Sequence, residues 1–172
     1  TGLYIPHSPI RIIANADFTP ENGVCGGNGT RGDPYIIEGW EINVSGYGDA
    51  IYIGNTTAYF IIQNCSVVAT SKNATTGIRF YNVSYGKIES CLISSFHVGV
   101  EFGDHHEHPG TNHCTLTRSV IENNTFGVSI WNCLWIGENI VAYNHISRNT
   151  CGLNRWTCKS SFVIFESDYG SH

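Results

Sequence analysis

A short phrase recurs along this chain, and it constrains the architecture more than any single residue does. The phrase is a small residue followed by an apolar–x–apolar strand. Its copies begin at Ala50, Gly77, Gly99, Gly127 and Gly152. In a second phrase, Cys91, Ser119 and Asn144 each stand eight residues before the glycine of the next copy. Fixed spacing inside strands, with loops of variable length between them, is typical of a solenoid.

Short runs rich in Ile, Val, Phe and Tyr alternate with turns of Gly, Asn, Ser and Thr, which indicates strands of four to six residues. No stretch has a convincing helical period, and 19 glycines in 172 residues disfavour helices as the main element. One such turn of chain cannot bury its apolar face alone, so neighbouring turns must stack. The sequence therefore predicts an all-β, single-domain parallel β-helix of about five or six coils. The alternative, a β-sandwich, does not explain why the same phrases return in the same order.

Stacking of the copies assigns an orientation to each strand position, because side chains alternate between the two faces of a strand. Two inward ladders are expected: Ile51, Ile78, Val100, Val128 and Leu153, and Ile53, Phe80, Phe102 and Ile130. The outward row between them is Tyr52, Arg79, Glu101, Ser129 and Asn154. Arg79 and Glu101 then lie on adjacent coils as an opposite-charge pair.

Within residues 1–172 we expect an N-terminal strand and first coil in 1–48, regular coils in 49–158, and a C-terminal strand and tail in 159–172. Arg155 interrupts the inward ladder, which predicts a last coil that is frayed or covered by the tail around Phe162 to Phe165. No capping helix is visible at either end of the sequence. Unpaired strand edges are therefore expected at both ends of the solenoid.

Composition and charge exclude some partners. The net charge is −5, and the nine Lys and Arg residues are scattered singly, so no basic stripe exists to bind nucleic acid. No apolar run is long enough to predict a membrane span. The chain has no methionine and begins at Thr1, which favours processing and the loss of a signal peptide. We therefore expect an extracellular or cell-surface location.

Seven Asn-x-Ser/Thr sequons support the same location and predict N-linked glycans. Their asparagines are Asn28, Asn43, Asn55, Asn64, Asn73, Asn82 and Asn123. The alternative is that Asn, Ser and Thr are simply the residues from which β-helix turns are made.

The chain has seven cysteines, none with the Cys-x-x-Cys spacing of zinc or redox sites. Cys65 and Cys91 occupy equivalent positions on adjacent coils, and Cys133 and Cys158 each stand six residues after their glycine. Neighbouring strands are close enough for a disulfide, so Cys65–Cys91 and Cys133–Cys158 are predicted pairs. The alternative is a ladder of free buried thiols. An odd count leaves one free thiol or one bond between chains.

The densest polar cluster follows Phe102 and contains His105, His106 and His108, with His113 nearby. Neutral imidazoles are ligands for Zn²⁺ and Cu²⁺, so a metal site is one interpretation. The alternative is a solvated polar loop. No cofactor other than such an adventitious Zn or Cu ion, and no prosthetic group, is predicted.

No catalytic residues are assigned and no enzymatic activity is predicted, because hydrolysis of a glycosidic bond needs paired carboxylates at a defined separation. The five aspartates do not occupy neighbouring outward positions of the repeat. The aromatic residues expected to face outward are Tyr35, Tyr47, Tyr52, Tyr59, Trp131, Trp135 and Trp156. Trp131 and Trp156 are equivalent positions on neighbouring coils. They could stack on sugar rings, pack against another subunit or pack beneath a loop.

Residues Pro9–Ile12 and Gly27–Gly39 resemble the opening coil of NosD-like, right-handed parallel β-helix repeat proteins of the pectin-lyase-like type. The downstream phrases resemble the repeat of that superfamily, so the resemblance covers nearly the whole chain. It implies a right-handed β-helix and proteins of the archaeal surface or secreted type. Members include carbohydrate-active enzymes, a copper-maturation accessory protein and adhesive surface proteins, and the resemblance places no catalytic motif in this sequence.

Three functions remain open from the sequence. The first is a glycosylated extracellular structural protein that assembles with copies of itself into a filament, sheath or surface layer. The second is a carbohydrate-binding or polysaccharide-cleaving module that uses outward Trp and Tyr with Glu and Asp from adjacent coils; grouping of these residues in one lateral groove would favour it. Cell-surface glycans would then be partners. The third is a metal-binding accessory protein.

Overall fold

The computed structural model describes residues 4–103, 111–131, 139–156 and 162–164. Its strands are β1 (Ile5–Pro6), β2 (Ile10–Ile12), β3 (Val24–Gly26), β4 (Tyr35–Glu38), β5 (Trp40–Val44), β6 (Ile51–Thr56), β7 (Phe60–Gln63), β8 (Ser66–Ala69), β9 (Thr76–Val83), β10 (Gly86–Glu89), β11 (Leu92–Ser94), β12 (Val98–Phe102), β13 (Thr115–Thr117), β14 (Val120–Glu122), β15 (Phe126–Trp131), β16 (Ile140–Ala142), β17 (His145–Ser147), β18 (Cys151–Trp156) and β19 (Phe162–Ile164). Two short 3-10 helices lie at Asn15–Asp17 and Pro20–Asn22.

The strands form three sheets that share one axis. Sheet 1 has the order β1-β5-β8-β11-β14-β17, sheet 2 the order β3-β4-β7-β10-β13-β16-β19, and sheet 3 the order β2-β6-β9-β12-β15-β18. From β4 onward the described strands visit sheets 2, 1 and 3 in turn, and each pairs in parallel with its equivalents in the neighbouring coils. The predicted all-β parallel β-helix is confirmed. The described residues form about four coils, slightly fewer than the five or six predicted.

The predicted ladders have the predicted register. Ile51 pairs with Ile78, Ile78 with Val100, and Val100 with Val128, and all four side chains are fully buried. Phe80 and Phe102 of the second ladder stack with ring centroids 5.2 Å apart. The core is therefore a set of columns parallel to the axis, and each column buries one apolar position of the repeat.

The small residue that begins the recurring phrase is required by close contact between coils. A Cβ atom on Gly77 would lie 2.6 Å from the carbonyl oxygen of Gly99, and a Cβ atom on Gly99 would lie 2.6 Å from that of Gly127. Gly127 has the same relation to Gly152. At these positions a methyl group would push the next coil away, because the contacting atom belongs to the backbone.

Buried asparagines hold the corners between sheets, and each links its own coil to the one before. Asn144 accepts a hydrogen bond from the Ser119 amide at 2.9 Å and donates one to the Leu116 carbonyl at 2.9 Å. Asn139 does the same at another corner, with the Cys114 amide and the Thr111 carbonyl. The corner polar groups are therefore satisfied inside the solenoid.

The interior of the solenoid is covered at its N-terminal end, although the sequence shows no capping helix there. The segment between β2 and β3 carries the two 3-10 helices, and Phe18 within it is buried. The Phe18 ring stacks on Tyr35 at 4.5 Å and contacts Phe60 at 5.5 Å. Trp40 Nε1 donates a hydrogen bond to the Gly23 carbonyl at 2.8 Å, which ties this segment to the first coil. No amphipathic helical pattern predicts this cover, because it consists of one aromatic side chain on a segment with two single-turn 3-10 helices.

Candidate functional site: a lateral groove on sheet 3

The outward row of sheet 3 forms the floor of a groove on the side of the solenoid. Backbone pairing places Tyr52, Arg79, Glu101, Ser129 and Asn154 in one register, as the repeat predicts. A cavity of about 430 Å³ lies over the later part of this row. Thr75, Thr76 and His97 line one part of it, and Phe126 and Trp131 another. We call this cavity the lateral groove.

Arg79 and Glu101, on the floor of the lateral groove, belong to a charge network that also includes Asp49, which does not line the groove. Arg79 Nε is 2.7 Å from Glu101 Oε2 and 3.5 Å from Asp49 Oδ2. Arg79 Nη2 donates a hydrogen bond to Thr76 Oγ1 at 2.8 Å, and Thr75 Oγ1 donates one to Asp49 Oδ1 at 2.7 Å. The predicted pair of Arg79 with Glu101 is confirmed. The two carboxylates share one guanidinium, so the network is acidic by one charge when both are ionised.

Glu101 is more deeply placed than the strand pattern suggests. Glu101 is only 8 % exposed, although its side chain is on the outward face of sheet 3. Burial raises the pKa of Glu101, and the nearby Asp49 carboxylate raises it further, while Arg79 and a hydrogen bond from the Trp131 side chain lower it. The net direction is upward, so this carboxyl holds a proton more readily than an exposed glutamate does.

Aromatic side chains flank the network. Trp131 and Phe126 lie on β15, and the His97 ring meets the Phe126 ring edge-on at 5.4 Å. Trp131 pairs in backbone register with Trp156, as the repeat predicts. Flat apolar rings next to hydrogen-bonding groups are the composition expected of a site for amphipathic ligands.

The four tyrosines predicted to face outward do not line the lateral groove. Tyr35 is packed against the core under Phe18, so the prediction that it faces outward is wrong. Tyr59 stacks on Tyr85 at 4.4 Å, whereas Tyr47 is 85 % exposed. The Tyr52 ring lies outside the cavity beneath the Arg11 guanidinium, at 4.6 Å. Trp135 is outside the described residues.

All seven sequon asparagines lie within the described residues. Six are exposed, and Asn82 is partly buried. Asn82 donates a hydrogen bond to Asn55 on the adjacent coil at 3.1 Å, and Asn64 donates one to Glu38 at 2.9 Å. Glycosylation of these residues stays a prediction, and the contact of Asn55 with Asn82 argues against glycans on both at once.

The predicted cysteine pair on adjacent coils consists of two free thiols in this structure. Cys65 and Cys91 are buried, and each interacts with the other. The Cys65 interaction and burial together raise the pKa of Cys91, whereas the interaction lowers that of Cys65. The disulfide between them stays a prediction. Cys133 and Cys158 are outside the described residues.

The predicted metal ligands cannot be followed as a set, because His105, His106 and His108 are outside the described residues. His113 is partly buried, and its Nδ1 lies 2.8 Å from Asn112 Oδ1. Across the described ranges, no group of three or more His, Cys, Asp or Glu residues is arranged to hold a metal ion. The described ranges also contain no helix long and apolar enough to cross a membrane.

Sequence reasoning missed Asp49 as a member of the charge network beside the groove. Asp49 directly precedes Ala50, the start of the first copy of the phrase, and so lies outside the outward row that the repeat defines. Arg79 reaches it across sheet 3, because the guanidinium group lies far from its own Cα atom. The signal available in the sequence was an acidic residue two positions before Ile51, on the coil next to Arg79.

Residues 2–166 match the family model described as "Right handed beta helix region". The matched range includes all the described strands and the whole lateral groove. No curated protein and no solved structure matches the chain. The comparison therefore supports the architecture and is silent on ligands.

Proposed function

The chain belongs to the right-handed β-helix family, and we propose that it binds carbohydrate in the lateral groove. The observation that carries this proposal is the gathering of Trp131, Arg79 and Glu101, from three neighbouring coils, around one cavity. A sugar ring has apolar faces that stack on an aromatic ring, and hydroxyl groups that pair with charged and polar side chains.

The groove also has dimensions that suit such a ligand. Its volume of about 430 Å³ lies in the range of small-ligand sites. Its charged groups, Arg79 and Glu101, come from the outward row of sheet 3, where parallel pairing on both sides fixes the backbone. A rigid sheet holds recognition groups with less loss of conformational entropy than a loop does.

The experiment is a glycan array followed by calorimetry with wild type and Trp131→Ala. We expect an oligosaccharide to bind wild type and Trp131→Ala to lose about tenfold or more in affinity, because stacking supplies much of the binding energy. Tyr47→Ala, which removes an exposed aromatic ring away from the groove, is the matched control. Unchanged affinity in Trp131→Ala, with circular dichroism like that of wild type, would refute binding in this groove.

Assembly with copies of itself is a second candidate, supported by the exposed N-terminal strands. β1 and β2 lie at the edges of their sheets, and Ile5 and Ile13 are 58 % and 49 % exposed. Edges of this kind pair with other chains unless they are protected. The Phe18 side chain covers the interior of the solenoid at this end. This weakens the case for assembly in which the coils of one molecule stack on those of the next.

Negative-stain electron microscopy, with and without reductant, tests assembly. Filaments or sheets would support it, and their loss in reductant would assign the odd cysteine to a bond between subunits. Single particles under all conditions would exclude it. An extracellular location and N-linked glycans remain part of both proposals, supported by the exposure of six sequon asparagines.

A further inference from the structure

The lateral groove has two halves along the outward row of sheet 3. Arg79 and Glu101 lie in one half and carry opposite charges, whereas Ser129 and Asn154 lie in the other half and are neutral. Trp131, two residues after Ser129 on β15, is on the same side as the neutral half. The class of saccharide that fits depends on which half has groups available to bind it. This step rests on the proposed carbohydrate binding and goes beyond it.

The charges of Arg79 and Glu101 balance each other. Arg79 Nε is 2.7 Å from Glu101 Oε2, and Glu101 also accepts a hydrogen bond from the Trp131 side chain. On its other side, Arg79 Nε is 3.5 Å from the Asp49 carboxylate, and Arg79 Nη2 donates to Thr76 at 2.8 Å. Among the described lining residues there is no other Lys, Arg, Asp or Glu. The groove therefore offers a ligand no Lys or Arg side chain that lacks a carboxylate partner.

An anionic sugar is disfavoured by this arrangement. The carboxylate of a uronate would have to displace Glu101 or Asp49 from the guanidinium group. Otherwise it would lie against Val98, Phe126 and Trp131, which supply no positive charge. Removing an ionised carboxylate from water without a cationic partner is costly. A sugar hydroxyl group meets neither cost, because it is neutral and can bind beside the ion pair without breaking it.

The neutral half of the groove has groups that suit hydroxyl ligands. Ser129 and Asn154 pair in backbone register on neighbouring coils, and within the described residues their side chains make no hydrogen bond. A serine hydroxyl and an asparagine amide each provide both a donor and an acceptor. Neighbouring hydroxyl groups on a sugar ring need both kinds of partner, so these side chains can bind them while the ring stacks on Trp131.

We propose that the lateral groove binds neutral glycans in preference to uronates, and that Ser129 and Asn154 recognise the sugar hydroxyl groups. The pair of Arg79 with Glu101 discriminates against uronates, because carboxylates of the protein already occupy its guanidinium group.

Calorimetry with matched tetrasaccharides tests this preference at pH 8, where carboxyl groups are ionised and histidine is ordinarily neutral. Cellotetraose and β-1,4-tetraglucuronate share a glucose skeleton, and β-1,4-mannotetraose and β-1,4-tetramannuronate share a mannose skeleton. Each pair differs in the carboxylate at C6, and the glycan array carries the corresponding galactose pair. For the skeleton that binds, we expect the neutral sugar to bind wild type about tenfold more tightly than its acid.

Glu101→Gln tests the role of the ion pair, because glutamine keeps the shape of the side chain and removes its charge. We expect the uronate of the matched pair to gain about tenfold in affinity, since Arg79 then has one carboxylate partner fewer. Loss of a merely structural contact would not produce such a gain. Asp49→Asn provides a second route if Glu101→Gln folds poorly. Glu122→Gln, on sheet 1 beside Arg148, removes the same charge away from the groove and should keep the wild-type preference.

Asn154→Ala tests recognition of the hydroxyl groups. We expect the affinity for the neutral sugar to fall about tenfold, because the variant removes hydrogen bonds to the ligand. Asn43→Ala, at an exposed position on β5 of sheet 1, is the matched control and should bind as wild type does. Unchanged affinity in Asn154→Ala would refute its part in recognition.

The outcomes separate the two proposals. Equal binding of a neutral sugar and its acid, or tighter binding of the acid, would overturn the preference and leave carbohydrate binding standing. A gain of uronate affinity in Glu122→Gln equal to that in Glu101→Gln would assign the effect to net charge and overturn the role of the ion pair. Failure of every glycan to bind, on the array and in calorimetry, would overturn both.

Discussion

At the scale of single residues, the most demanding positions are polar groups inside the solenoid. Asn144 is only 6 % exposed and satisfies one amide and one carbonyl of the preceding coil. Asparagine suits this corner because its side chain offers an acceptor and two donors on one short stem. In an exposed turn, water could replace these hydrogen bonds. The need for asparagine at this buried position therefore comes from the backbone groups of the neighbouring coil.

We expect Asn144→Ala to lower the free energy of unfolding by about 2 to 3 kcal/mol, because it removes two hydrogen bonds and leaves two buried backbone groups without partners. Urea unfolding measures the change. Asn43→Ala, at an exposed position on β5, is the control and should stay within about 0.5 kcal/mol of wild type. Equal effects in the two variants would contradict a structural role for the hydrogen bonds of Asn144.

Glu101 should also make stability depend on pH. Burial raises the pKa of Glu101 above its ordinary value of 4.5, so the folded chain binds that proton more tightly than the unfolded chain does. Its contribution to the free energy of unfolding therefore falls as pH rises from 4.5 through the raised folded pKa. Glu101→Gln stays neutral, so wild type should lose stability relative to it over this window.

Denaturant unfolding of wild type and Glu101→Gln, at several pH values from 4.5 to neutrality, measures this difference. Glu122→Gln is the matched control for the loss of one carboxyl group. If the difference between wild type and Glu101→Gln is flat across the window, the pKa of Glu101 is not raised in the folded chain.

At the scale of elements, the contact between coils sets which residue can begin the sheet 3 strands. The glycine column brings each backbone within van der Waals contact of the next carbonyl oxygen. Gly152 differs, because among the described residues a Cβ atom on it would meet only Ile146 Cγ2, at 3.8 Å. The same residue in the same phrase therefore has different importance on different coils.

This difference gives a matched pair of variants. Gly99→Ala should lower the free energy of unfolding by about 2 to 3 kcal/mol, because the new methyl group overlaps the Gly127 carbonyl and the coils must separate. Gly152→Ala should change it by less than about 0.5 kcal/mol. Thermal or urea unfolding measures both changes. Equal losses of unfolding free energy in the two variants would contradict the packing argument.

At the scale of the whole molecule, the solenoid has ends, and its stability depends on how they are closed. Phe18 closes the N-terminal end by stacking on Tyr35 and contacting Phe60. A repeat protein needs such a cap because its first coil has no neighbour on one side. The lateral groove is likewise a property of the whole stack, since its residues come from successive coils.

Phe18→Ala should lower the free energy of unfolding by about 3 kcal/mol and increase self-association, because it removes a buried ring and uncovers the apolar interior. Urea unfolding and size-exclusion chromatography measure the two effects. Tyr47→Ala, at an 85 % exposed position, should change neither. If Phe18→Ala were as stable and as monodisperse as wild type, the Phe18 ring would not be needed to cover the N-terminal end.

The repeat, the strands and the two faces of sheet 3 could be predicted from the residues alone, because spacing within a repeat and alternation along a strand are local properties. The sequence therefore predicted the pairing of Arg79 with Glu101 and of Trp131 with Trp156 in register. Three features became visible in the folded chain and not before: Asp49 pairs with Arg79, Phe18 covers the N-terminal end, and Glu101 is buried. These features depend on side-chain reach and on the packing of irregular segments, which no repeat spacing records.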